Sequence, residues 1–221
     1  MSEKSAGLRE RKRQRTYQVI SDAAVALFLE KGFAAVSVTE IAEAAEVSKP
    51  TLFRYFPAKE DMALYRFADH EDEAARVVSA RAEGTSALDA LEEHFLAGLK
   101  ARDPVTGLCD AEEVLAFHRL LYGTPSLAAR LHSYTARSEE ALAAALSRPA
   151  DGERPPLTAR LAAAQIVAAQ RVLAMENWQR IAGGASAAGL HARAATDARH
   201  AFALLRSGLT HLTDTAGATR A

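Results

Sequence analysis

Residues 37–62 read SVTEIAEAAEVSKPTLFRYFPAKEDM. Ser37 and Glu40 stand three positions apart just ahead of Ile41, the spacing of a capping box, so a helix opens near residue 38 and runs to about 45. It offers Ile41 and Ala45 to a core. Pro57 pushes Phe56 out of the helical region, so a second, short helix spans about 49–56. Only Ala45-Glu46-Val47 separates the two helices. The second helix gathers Phe53, Tyr55 and Phe56 between Lys49 and Lys59, in a chain with 8 Phe, 5 Tyr and 1 Trp among 221 residues.

A helical wheel of about 100° per residue assigns these side chains to faces. Leu52 and Phe56 share one direction and face the core. Pro50 and Arg54 point away from it, Thr51 and Tyr55 lie on one flank, and Lys49 and Phe53 lie on the other. Phe56 and Phe53 are read as core, and Tyr55 is divided between core and surface. The outward face is Lys49, Pro50, Thr51, Arg54 and the hydroxyl end of Tyr55. These groups suit phosphates and base edges, on a helix thin enough for a major groove. Two helices joined by so short a turn have the proportions of a helix-turn-helix.

Outward from this stretch, every long periodic segment repeats at helical spacing, and none alternates as a strand does. The expected class is all-α with about nine helices. The first runs from about Leu8 to Lys31, with Tyr17, Ile20, Ala24, Leu27 and Phe28 on one face and Gly32 as its stop. After the short helix, one is expected from Lys59 to about Ala82, then others over about 86–100, 110–121, 125–147, 157–182 and 189–213. The division is a helix-turn-helix domain at 1–66, including an N-terminal arm, and a larger helical domain at 67–221.

Net charge hides an asymmetry. The chain sums to −1, yet Lys4, Arg9, Arg11, Lys12, Arg13 and Arg15 face only Glu3 and Glu10 in the first 16 residues. That run is either an arm along DNA or a solvated tail. With 49% hydrophobic and 25% charged residues, the composition is that of a soluble globular chain. No apolar run approaches the ~18 residues of a membrane span, and no signal-peptide core follows the charged N-terminus. A cytoplasmic protein with no membrane partner is expected, and the single Cys109 agrees with a reducing compartment.

The stretch SVTEIAEAAEVSKPTLFRYFPAKEDM, preceded by LFLEKGF, closely resembles the DNA-binding domain of the tetracycline-repressor (TetR) family, over about residues 9–66. The resemblance implies that Thr39, Tyr55 and Lys59 hold phosphates while Lys49, Pro50, Thr51 and Arg54 lie in the groove. It further implies a homodimeric transcriptional regulator, a repressor released from a palindromic operator by a small-molecule effector. Three positions depart from the family pattern: Glu46 stands at the turn where Gly is usual, Phe53 where Tyr is common, and Ala58 where Ser or Asn caps the next helix. The rival readings are an architectural DNA-binding protein without ligand, and a helical lipid carrier or enzyme.

Catalytic and metal motifs are absent from the sequence, and none of the seven His has a Glu three positions before it. No enzyme activity, cofactor or metal is expected. The stretch HRLLYGTPSLAARL, 118–131, resembles regulators with acyl-CoA-like ligands, which implies a lipophilic or acyl-thioester-like effector. Candidate pocket residues are Phe95, Leu99, Phe117, His118, Leu121, Tyr134, Met175 and Trp178, with Glu113, Gln170, Arg171 and Asn177 as orienting groups. The segment 157–182 is apolar nearly all round, including a face of Leu161, Ala164, Ala168, Val172 and Met175. The last helix carries Ala198, Phe202, Leu205, Leu209 and Leu212 on one stripe, with Ala194, Ala201, Leu204 and Gly208 beside it. The pair is expected to form a two-fold four-helix seam between chains.

Overall fold

In the computed structural model, which describes residues 2–147 and 154–208, the chain is all-helical. The described α-helices are α1 (Ser2–Lys31), α2 (Val38–Ala44), α3 (Lys49–Tyr55), α4 (Lys59–Leu64), α5 (Glu73–Ala80), α6 (Ala87–Ala101), α7 (Glu112–Gly123), α8 (Pro125–Ser147), α9 (Leu157–Ala182) and α10 (Ala187–Gly208). Short 3-10 turns occupy Tyr65–His70 and Pro104–Thr106.

Two expectations change. The helix expected over 59–82 is three pieces, because Tyr65 and Arg66 are held by different partners: the Tyr65 ring stacks on Tyr17, and Arg66 lies over the Phe117 ring and pairs with Asp22. The tighter 3-10 winding accommodates both. At the other end, α1 starts at Ser2 rather than near Leu8, so the backbone of the whole basic run is helical and continuous with the first helix.

The chain divides into two compact units, one of residues 1–69 and 116–133, the other of 70–115 and 134–221. In the first, Ile20, Ala24, Val25 and Phe28 of α1 pack with Ile41, Leu52, Phe56, Met62 and Leu64, all buried. The buried Ser21 hydroxyl donates to the Met62 carbonyl at 2.8 Å, tying α1 to α4. Arg130 makes a two-pronged ion pair with Asp61 in the first turn of α4, at 2.8 and 3.1 Å.

The second unit centres on Leu88, Leu91, Phe95 and Leu99 of α6 against Ala162, Ala163 and Ile166 of α9 and Ala198, Phe202 and Leu205 of α10. The turn at 104–107 sits hard on α9. Gly107 has φ +72°, and a Cβ there would lie 1.9 Å from the Ala174 carbonyl oxygen. Asn177, buried, donates to the Thr106 carbonyl at 2.9 Å and fastens the same turn.

The stripe Ala198, Phe202 and Leu205 is thus consumed within its own unit rather than offered to a partner chain. Leu204 beside it stays 59% exposed, as do Leu161 at 54% and Val172 at 58% on α9. Leu209 and Leu212, assigned to the seam from sequence, lie outside the described residues.

Candidate nucleic-acid interface

The capping box that opens α2 forms as expected: the Ser37 hydroxyl accepts from the Glu40 N–H at 3.2 Å, and the Glu40 carboxylate accepts from the Ser37 N–H at 2.8 Å. That backbone N–H, followed by the Lys31 ammonium, holds the Glu40 carboxyl at a pKa of about 2. The helix ends on a left-handed residue. Glu46 has φ +54°; its N–H donates to the Glu43 carbonyl at 3.1 Å and the Val47 N–H to the Ala42 carbonyl at 2.9 Å, the two bonds of a Schellman motif.

This turn delivers the chain to α3. Ser48 caps it, its hydroxyl accepting from the Thr51 N–H at 3.3 Å, and Pro50 occupies a position where no helical donor is needed. The cap was missed from sequence, although Ser48 ahead of Lys49-Pro50 carried the signal. Phe56 ends α3 in extended conformation before Pro57, as expected, and Ala58 opens α4 without a side-chain cap.

The side of α3 facing the fold is locked by aromatic rings. Tyr17 of α1 meets Tyr55 edge-on at 4.8 Å, Phe56 at 5.2 Å and Tyr65 face-on at 5.3 Å, while the Tyr65 hydroxyl donates to Gln14 at 2.7 Å. Edge and offset stacks of this kind add to plain burial and fix ring orientation. Lys49, Pro50 and Arg54 are exposed on the opposite side. The Arg54 guanidinium hovers 5.5 Å from the Tyr55 ring centre.

The remaining expected contact residues are more engaged. Thr51 is half-buried and its hydroxyl shares a 2.8 Å hydrogen bond with Ser48, so part of its capacity serves the cap. Thr39 lies half-buried in the first turn of α2, and Tyr55 is half-buried in the ring cluster. The Lys59 ammonium donates to the Phe33 carbonyl and, at 2.6 Å, to the Val36 carbonyl, with the Phe33 ring 4.3 Å away. Desolvation draws its pKa below the ordinary lysine value. Lys59 therefore braces the link between α1 and α2.

Phe53, expected in the core, is 49% exposed beside Lys49. Its direction on the wheel is the flank, and the neighbouring Leu52 and Phe56 already fill the inner face.

Of the candidate effector residues, Phe117, His118 and Leu121 are buried in the first unit. Burial pulls the His118 pKa below its ordinary value. Phe95 and Leu99 are buried in the second unit, where Tyr134, Gln170, Met175 and Trp178 are half-buried and Glu113 and Arg171 exposed. Asn177 is taken up by Thr106. A surface groove of about 430 Å³ in the second unit is lined instead by Asp89, Glu92, Glu93, Leu96, Ala97, Lys100 and Arg206. Among the described residues no group of His, Cys, Asp or Glu could hold a metal ion, and no helix is long and apolar enough to cross a membrane.

Residues 20–65 match the family model described as bacterial regulatory proteins, tetR family. The transcriptional regulator TcmR of Streptomyces glaucescens is 36% identical over 135 residues, 61% of this chain and 58% of TcmR, so the match spans less than two thirds of that relative. A TetR-family regulator from Streptomyces coelicolor shares the fold with a TM-score of 0.54 and 22% identity, over 89% of this chain and 96% of its own. The structure of SmeT in complex with triclosan shares it with a TM-score of 0.50 and 15% identity, over 88% and 91%. The capped helix pair, its tight left-handed turn and these likenesses lead to one conclusion: residues 20–65 are similar to the tetR family of bacterial regulatory proteins, and the chain shares the fold of solved TetR-family regulators.

Proposed function

We propose that the protein is a homodimeric, cytoplasmic transcriptional regulator that reads a palindromic operator through α3 and leaves it when a small molecule binds the helical second unit. The observation that carries the reading is the outward row Lys49, Pro50 and Arg54 on a seven-residue helix whose opposite side is clamped by Leu52, Phe56 and the Tyr17 ring cluster. Rigid backing lets cations on a thin helix meet base edges without losing rotational freedom on binding. Thr39 and Tyr55, with the third N–H of Lys59, would hold phosphates on either side of the groove.

Dimerisation is supported by Leu161, Val172 and Leu204, large apolar side chains left exposed on the last two helices, α9 and α10. A two-fold dimer would present its two α3 helices to successive major grooves about 34–36 Å apart. Release requires that an effector favour a different placement of α3. The Arg130–Asp61 pair supports such a link, because it ties a residue of α8 to the first turn of α4, which follows α3 directly. A lipophilic acidic effector of acyl-thioester type suits the apolar candidates around Phe95, Leu99, Met175 and Trp178 with Arg171 as the charge, and the SmeT–triclosan complex favours a lipophilic occupant.

Selection of bound duplexes from random DNA by the purified full-length protein tests the reading. A two-fold symmetric site, and a dimer by light scattering, are the expected results. Failure to enrich any sequence would overturn it. Palmitoyl-CoA, as probe, is expected to release that DNA and change Trp178 emission over one concentration range, with both responses weakened by Arg171→Ala; release without either effect would remove Arg171 and Trp178 from the pocket.

A further inference from the structure

Phe53 has no role in the fold that its position explains. It is the only aromatic among the large apolar residues exposed on the described part of the chain, and it sits on a helix whose inner face is already filled by Leu52 and Phe56. Leu52 and Phe56 are buried on that inner face, so α3 cannot roll to bury Phe53 without expelling them. Its ring projects over the preceding turn, where Lys49 and Pro50 are exposed, and Arg54 follows it on the outer side. A phenyl ring can neither donate to a phosphate nor bond a polar base edge. The apolar feature that the major groove displays is the 5-methyl group of thymine.

We propose that Phe53 is a specificity-determining residue that recognises a thymine methyl group in each operator half-site. The inference rests on the DNA-binding reading above and adds to it a chemical identity at one base pair. Lys49 and Arg54 bring the helix to the polyanion by charge, and neither distinguishes thymine from cytosine by an apolar contact. Phe53 supplies that discrimination: packing the ring against the methyl removes both from water, and a base without the methyl leaves the ring wet. A tyrosine at this position would carry a hydroxyl toward the phosphates; phenylalanine exchanges that contact for a base contact.

The experiment uses the full-length protein and the site enriched from random duplex DNA. Each thymine is replaced singly by deoxyuridine, which deletes the methyl and leaves the pairing edge intact, and binding is measured for wild type, Phe53→Leu and Phe53→Ala. One thymine per half-site is expected to lose about fourfold in affinity on demethylation, the worth of one buried methyl-sized group. Phe53→Ala is expected to bind methylated and demethylated sites equally, and Phe53→Leu to keep part of the difference. Because Phe53 is half exposed, these variants should melt with the wild type. If wild type tolerates every deoxyuridine, or if Phe53→Ala remains as sensitive as wild type, the inference is overturned while DNA binding stands. Uniform weakening on all sites, insensitive to the methyl, would mark a sugar contact and likewise overturn it. If no site is enriched at all, the DNA-binding reading falls and this inference with it.

Discussion

Replacing Glu46 by glycine should stabilise the first unit. Glu46 sits at φ +54° with its side chain exposed, and the two Schellman hydrogen bonds at 3.1 and 2.9 Å require that conformation, so a residue with a Cβ carries strain there in the folded state alone. The left-handed conformation costs about 1–2 kcal/mol for an L-residue. Glycine removes this strain but loses about 0.5–1 kcal/mol more entropy on folding. The difference leaves Glu46→Gly more stable by about 0.5–1 kcal/mol, or about 2–8 °C in the melting transition of a unit this size. Glu46→Ala, which keeps the Cβ, should gain nothing, and Glu46→Asn should fall between them because asparagine tolerates the left-handed region. Calorimetry of the full-length variants would rank the three, with hydrogen exchange at the Val47 N–H locating the change. Equal melting of the glycine and alanine variants would refute the argument, since backbone strain is the sole property that separates them in this way.

Arg54→Ala should cost about 1–3 kcal/mol of operator binding and relax preference at one base pair per half-site, measured by repeating the site selection. Lys59→Met should lower stability by about 2–3 kcal/mol in urea titration, because the Phe33 and Val36 carbonyls lose a charged donor; unchanged stability with a flattened salt dependence of binding would return Lys59 to a purely phosphate role. His118 is buried and its folded-state pKa lies below the ordinary 6.5, so the unfolded chain takes up the proton first. Stability should be complete above pH ~6.5 and decline as pH falls toward the folded-state value, a decline that His118→Phe should shrink in melts between pH 7 and 5. Leu161→Glu should convert the proposed dimer to monomer without unfolding it, since Leu161 is exposed within its own chain; a dimeric variant by light scattering would move the interface elsewhere.

The sequence by itself determined the helical class, the capping box and the inner and outer faces of α3. All are local: they depend on residues within about one helical turn of each other, where spacing alone specifies which groups can meet. The exposed positions of Lys49, Pro50 and Arg54 follow from the same periodicity. Tertiary structure decided what periodicity leaves open. It broke the segment after Lys59, because Tyr65 and Arg66 are gripped by Tyr17, Asp22 and Phe117, partners far away in the chain. It turned Lys59 toward the Phe33 and Val36 carbonyls and Asn177 toward Thr106, since a long polar side chain goes to whichever acceptor folding brings near. Phe53 was left outside because Leu52 and Phe56 already fill the inner face, and the Phe202 stripe of α10 was drawn into its own core while Leu204 stayed exposed. An apolar residue records only that burial would be favourable; packing against elements distant in sequence decides whether it is buried and by what.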